Sequence, residues 1–304
     1  MVEPIIVVAT RGEVTEARHR VHAVVVQDGR AIQAAGDPVL IAYFRSAAKP
    51  IQALPVVRAR PDLDDAEIAI ACASHLARPD QLAIVRRLLA DAPADERELE
   101  CGHEPTPIEH NCSGKHAGFL ALCRARGWAT AGYRLPEHPC QQTMLAEVAE
   151  AAEVSPDEIP TAVDGCGVVT FALPLERMAH AFARLPRLEG AGRVLAAMRA
   201  HPDLVRGPLA ADSLLMRDLP GWTAKGGAEG LFCACSPDGL GLALKVEDGN
   251  MRAVRPALGE LLRRLGHVVP SLTVVQLENS LGEATGELRA RREGPGEPPG
   301  GPEA

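Results

Sequence analysis

Residues 21–27 and 30–35 are two apolar-rich runs joined by Asp28-Gly29. A two-residue hairpin turn needs positive φ at both centres, and Asp-Gly tolerates that better than almost any other pair. The stretch therefore predicts an antiparallel hairpin. A second Asp-Gly, at 248–249, follows the apolar runs 231–235 and 239–246, so antiparallel strands are expected near both ends of the chain. The middle has a different period. Apolar residues spaced three and four apart predict helices at 81–90, 116–126, 141–150, 170–185 (with Pro174 in its first turn) and 192–200, with another at 254–265. Further strands are expected at 4–9 and 39–44, and a helix opened by Ser46 with Pro50 in its first turn. Strands from the ends and helices from the middle define an α/β chain of the α+β kind, an antiparallel sheet flanked by helices.

No repeat and no composition break interrupts the pattern. At 304 residues the length permits one large domain or two small ones, at roughly 150 residues each. One domain over residues 1–291 is expected, with a helical subregion at about 76–200. Residues 292–304 form a Gly/Pro/Glu tail with nothing to bury, predicted to be disordered. A formal charge of −8 supplies no positive field for phosphate backbones, so nucleic acid is not expected as a partner. The apolar run near the start is far shorter than the roughly 20 residues of a membrane span. Glu3 stands where a signal peptide would carry positive charge, so neither a membrane nor secretion is expected, and the setting is read as cytoplasmic. Eight cysteines in such a compartment are core thiols, metal ligands or nucleophiles.

The basic residues are lopsided: 28 are Arg and four are Lys, at 49, 115, 225 and 245. Lysine can lose its proton when desolvated and arginine cannot, so an Arg-biased chain that keeps a lysine has a use for it in chemistry. Compositional drift is the plain alternative for any single one. Their positions matter more.

Ser46 and Lys49 stand three apart in Arg45-Ser-Ala-Ala-Lys-Pro. On one helix face the hydroxyl and the amine meet, and a neutral lysine can take the hydroxyl proton for attack on a carbonyl. The alternative is a helix cap followed by a solvated lysine. Cys72-Ala-Ser74-His75 follows an apolar run, and small residues around a serine suit either a backbone-rich site or a buried turn. Ala224-Lys225-Gly-Gly-Ala-Glu229-Gly, just before a strand, permits close backbone approach to a ligand, or is a glycine-rich loop with a solvated lysine. His110-Asn-Cys112-Ser-Gly-Lys115-His116 packs a thiol, a hydroxyl, an amine and two imidazoles into seven residues. Cys112 and Lys115 can face one point, and Cys166 of Asp164-Gly-Cys-Gly can complete a metal site, although the spacing matches no standard zinc pattern. Free cysteines are otherwise small core hydrophobes. Cys233-x-Cys235 is explained by alternation along a buried strand, and Cys101-x-His103 has no obvious partners.

Together these motifs resemble the rhizobial-type L-asparaginase family, labelled asparaginase II. The resemblance runs from about Val8 to Gly286 and adds Phe171-Ala-Leu-Pro and Asn279 with Gly282 and Gly286. It implies a fold like that of serine β-lactamases and glutaminases, and a homodimer. It also implies two Ser-Lys pairs at one site, Ser46 with Lys49 and Ser74 with Lys225, beside a zinc held by Cys112, Lys115 and Cys166. The reaction implied is hydrolysis of L-asparagine to L-aspartate and ammonia. The residue chemistry agrees, because a poor acyl donor such as an amide needs both a strong nucleophile and a proton for the leaving nitrogen. Ser46 is expected as nucleophile, Lys49 as its base, and Ser74 with Lys225 as a relay. Arg45 is matched to the substrate α-carboxylate and Asp164 to its ammonium, with His116 and Glu229 counted as further substrate contacts. The chain departs from the family pattern at Ala77-Arg78-Pro79, where Gly-Glu-Pro is usual, at Val169 for a proline, and at Ser213 for a threonine. The Arg78 change is expected to alter substrate selectivity. Two other readings are a different Ser-x-x-Lys amidase or glutaminase, and a catalytically silent protein that binds amino acid or metal.

Overall fold

Asp28 and Gly29 both have positive φ, 48° and 77°, so the turn between the first long strands is of the expected kind. The computed structural model describes residues 2–102 and 105–291; the tail predicted for 292–304 lies outside the described residues, as does His103. The chain begins with β1 (Ile5–Arg11), β2 (Val14–Gln27), β3 (Arg30–Ala35) and β4 (Ile41–Tyr43). Six helices follow: α1 (Lys49–Gln52), α2 (Leu54–Ala59), α3 (Asp65–Ala71), α4 (Pro79–Asp91), α5 (Ser113–Arg126) and α6 (Pro139–Ala152). Next come β5 (Thr161–Val163), β6 (Val169–Pro174), α7 (Leu175–Arg184), α8 (Ala191–Ala200), α9 (Pro202–Val205) and α10 (Ala211–Asp218). The last elements are β7 (Thr223–Gly226), β8 (Leu231–Cys235), β9 (Gly241–Val246), α11 (Val254–Arg264), β10 (Val274–Glu278) and β11 (Ala284–Ala290).

The main sheet is antiparallel, in the order β10-β11-β1-β2-β9-β8-β7, with β3 also paired to β2. Residues of alternate parity along it serve two cores. Val24, Val26, Cys233 and Cys235 pack with α7 and the helical region, while Val21, Ala23, Val25, Phe232 and Ala234 pack with α10 and α11. A sheet covered on both faces has no need of polar alternation, which explains the near-continuous apolar runs of β2 and β8. Cys233 and Cys235 are accordingly buried strand residues, their thiols pushed up by burial, Cys235 to about 12.

A smaller sheet, β4-β6-β5, forms the other framework. Here one expectation is corrected. Residues 170–174 are strand, not the start of a helix, and the helix begins only at Leu175. The run Val169-Thr-Phe-Ala-Leu is β-branched and aromatic and buried along its length, and Pro174, unable to donate within a helix, marks the switch. The consequence is functional, because β5 and β6 present the Asp164–Gly167 turn beside the end of β4, from which Arg45 and Ser46 follow.

Helix α7 lies directly on β9. A methyl group added at Gly241 would sit 1.9 Å from the Ala179 carbonyl oxygen and 2.3 Å from the Ala183 nitrogen, both backbone atoms. Gly241→Ala is therefore expected to cost about 2–4 kcal/mol, read as a lowered urea midpoint; an unchanged midpoint would show that the helix can lift from the sheet at no cost.

Candidate active site

A 3₁₀ turn over Arg45–Ala48 runs into α1 and carries Lys49 inward, where it is only 1% exposed. Its Nζ lies within hydrogen-bond reach of the Ala73 carbonyl, of Ser74 Oγ at 3.0 Å and of Cys112 Sγ at 3.3 Å. Ser74 and His75 are held by backbone bonds to Val205 O (2.8 Å) and from His75 N to Asn111 O (3.0 Å). Three partners thus draw the lysine away from its expected one. The Ser46 hydroxyl, half-buried, makes no hydrogen bond among the described residues, and the bonded serine-lysine pair is Ser74 with Lys49.

Lys225 comes to the same centre from the sheet edge. It is fully buried on β7, donates to Gly226 O at 2.7 Å and lies 3.5 Å from Asp212 Oδ2. Burial lowers its pKa to about 7; Asp212 opposes this, while Lys49 and Arg206 add to it. Its position predicts a pH dependence. Between pH 7 and lysine's ordinary 10.5 the unfolded chain binds a proton that the folded one does not, so stability rises with pH across that window and the penalty is complete below it. Lys225→Met is expected to flatten that rise, gaining more stability over wild type at about pH 6 than at about pH 9. Urea midpoints at several pH values would measure it; parallel curves for the two proteins would remove Lys225 from the account.

Arg45 and Asp164, expected to hold opposite ends of a substrate, hold each other, with Nε 2.6 Å from Oδ1. Arg45 has φ of 49°, and its backbone N donates to Thr170 Oγ1 at 3.2 Å, so β6 and the Asp164 turn hold it in a strained conformation.

The third cluster is assembled by α5 and the same turn. Lys115 Nζ donates to Cys166 Sγ at 3.1 Å. A hydrogen bond from Cys166 holds the Cys112 thiol well below its ordinary value against the opposing effect of burial, with Lys49 and Lys115 helping. Burial pulls Lys115 down, but Cys166 and Cys112 outweigh it and leave the ammonium raised. Two sulfurs and a lysine nitrogen make a donor set suited to zinc, provided that the metal displaces the lysine proton. Among the described residues no three His, Cys, Asp or Glu side chains gather as a metal site.

His116 and Glu229 occupy other places. His116 is fully buried. Tyr133 Oη accepts from Glu100 N and shares a 2.6 Å hydrogen bond with His116 Nδ1, while His116 Nε2 is a buried atom with no partner among the described residues. Burial holds its pKa well below the usual value. Glu229 is exposed at the β7–β8 turn, with φ of 54° and its carboxylate toward Gly249. Arg78 pairs with Asp80 through Nε at 3.0 Å and Nη2 at 2.7 Å, while its Nη1 is buried with no partner among the described residues.

Sequence reasoning missed Asp212, Thr170 and the wall of a cavity of about 510 Å³ that runs past Glu100, Gly102 and Arg134 to Cys166. Only Asp212 left a signal, as the acidic residue beside the noted Ser213.

The L-asparaginase II family model matches residues 7–290. No curated protein matches the chain by sequence. Among solved structures, Mglu in its native form in 4.3 M NaCl is 15% identical with a TM-score of 0.50, covering 83% of this chain and 62% of that one. Mglu in its glutamate form gives the same figures. A covalent complex of the Bacillus subtilis glutaminase YbgJ with 5-oxo-L-norleucine is 13% identical with a TM-score of 0.40, over 82% of this chain and 89% of that one. The chain thus spans less than two thirds of the length of these Mglu structures. The fold is an antiparallel sheet flanked by helices, as expected, and the likeness to the Mglu structures is one of fold. No helix among the described residues is long and apolar enough to cross a membrane.

Proposed function

We propose, from the premise that the chain belongs to the L-asparaginase II family of amidohydrolases, that it hydrolyses L-asparagine through an acyl-enzyme formed on a serine. The observation that carries the reading is Lys49, one turn after Ser46 along the chain and bonded to Ser74 Oγ at 3.0 Å. Ser46 is the less buried serine and the one a substrate reaches. With Lys49 as the neutral amine, the Ser46 oxygen attacks the side-chain amide carbon and its proton passes to the Nζ lone pair. Ser74 relays a proton toward the leaving nitrogen, with Lys225 at the far side, and ammonia departs. Water then attacks the acyl-serine ester along the reverse proton path and releases L-aspartate.

The Arg45–Asp164 pair supports an amino-acid substrate. A guanidinium and a carboxylate 2.6 Å apart are the mirror image of an α-carboxylate and an α-ammonium, so a zwitterion can exchange one internal pair for two external ones. Cys112, Cys166 and Lys115 would hold a zinc ion, and bound there it supplies Lewis-acid charge that anchors the site. The proposal includes a homodimer, as the family resemblance implies, and a cytoplasmic setting, read from the short apolar run and Glu3. A second reading makes Ser74 the nucleophile, favoured by its direct bond to Lys49.

The test is ammonia release from L-asparagine, L-glutamine and simple amides, with zinc content measured before and after chelation. Release from asparagine well above the rest is expected. Glutamine as the preferred substrate would replace the assignment with a glutaminase, and silence from a folded, zinc-loaded protein would make it a binding protein.

A further inference from the structure

Beyond the reaction centre, on the other face of the β7 edge, α10 and α11 enclose a cavity of about 170 Å³. Gly226 and Phe232 line it, and Phe232 packs with the α10 and α11 core, whereas Lys225 is paired across the strands with Cys233, which packs with the helical region. Two arginines line the cavity and lack anionic partners. The Arg206 guanidinium makes no hydrogen bond or ion pair among the described residues, although a methyl group added at Gly226 would come within 3.5 Å of it. Arg255 donates through Nη2 to the Ser271 carbonyl, while its Nε is buried with no acceptor. A buried N–H without a partner costs free energy that an acceptor from a ligand would recover. The α10 N-terminus, which also lines the cavity, has no side-chain cap at Ala210. The one carboxylate present, Asp212, is engaged by Gly226 N–H at 3.1 Å and by Lys225. The remaining wall is apolar, from Leu209, Met251 and Val254.

We propose that this cavity is a second ligand site, which takes a small carboxylate with an apolar body, its anion on Arg206 and Arg255 and its tail against Phe232, Met251 and Val254. Inorganic phosphate satisfies the arginines but not the apolar wall, and a neutral amide satisfies the wall but not the arginines. Asp212 faces the cavity on one side and Lys225 on the other, so an occupant sits one residue from the reaction centre; that relation alone rests on the asparaginase reading, and the site does not.

Met251 gives the test. Protein carrying carbon-13 methionine methyl groups, with the Met251 signal assigned from Met251→Leu, is titrated with butyrate. A saturable shift of that signal is expected, with affinity roughly ten- to hundredfold weaker in Arg206→Gln and in Arg255→Gln, since charge-assisted hydrogen bonds are lost. Arg255→Lys, which keeps the charge, is expected to recover part of the affinity, and thermal unfolding checks that each variant is folded. The proposal is overturned if the signal does not move, if both glutamine variants bind as wild type does, if butyramide or phosphate binds as tightly as butyrate, or if L-aspartate displaces butyrate competitively. Turnover is not read, so the result stands whatever substrate the enzyme prefers.

Discussion

Lys49→Met is expected to reduce amide hydrolysis at least ~10³-fold, because proton transfer by a positioned side chain is worth that order in rate. The fold is expected to survive. Methionine has nearly the length of lysine, and exchanging a buried charge for an apolar isostere is often neutral or stabilising. Against that gain, the Ala73 carbonyl and Ser74 hydroxyl lose a donor, at about 1–3 kcal/mol for a buried group left unpaired. The opposed terms leave Tm within about 5 °C of wild type. Ammonia release and a melting curve on one preparation measure both, and a variant that retained turnover would remove Lys49 from the mechanism.

The two serines are expected to fail differently. Ser46→Ala loses the attacking oxygen, so turnover falls at least ~10³-fold and a diazoketone analogue of asparagine leaves no covalent adduct. Ser74→Ala keeps the nucleophile but breaks the 3.0 Å link from Lys49, so turnover falls ~10²-fold while the adduct still forms slowly on the peptide containing Ser46. Peptide mass mapping of the trapped enzyme decides the matter. An adduct on Ser74 that persists in Ser46→Ala would install the second reading.

What could be read from the residues followed a rule. The hairpin at Asp28-Gly29 and the strands β8 and β9 were legible because turn chemistry and short-range period are local. Helices α4, α5, α6, α8 and α11 were legible for the same reason. The strand β6 was not, because a buried apolar run of that length has no period of its own and its identity comes from pairing with β4 and β5. Strands β10 and β11 were missed too; their sequences are polar on one side and are drawn into the sheet by β1. Within the site, residue types in unusual company were visible: Lys49, Lys115 and Lys225 are all interior. Partners were not. That Lys49 reaches Ser74, and that Arg45 takes Asp164, depends on which loops the topology brings to one place, and i, i+3 spacing cannot supply it. Asp212 was passed over because its role exists only at the β7 edge, fourteen residues further along the chain.

Three interior lysines also shape what selection can do with this protein. Each is 3% exposed or less, and each sits where an apolar side chain would relieve desolvation. A library screened for survival of heat would collect substitutions at Lys225 early, where burial outweighs the Asp212 carboxylate, and its most robust members would be inert. Engineering for shelf life therefore has to score ammonia release in the same round as melting temperature, or fix positions 49, 115 and 225 before diversification begins.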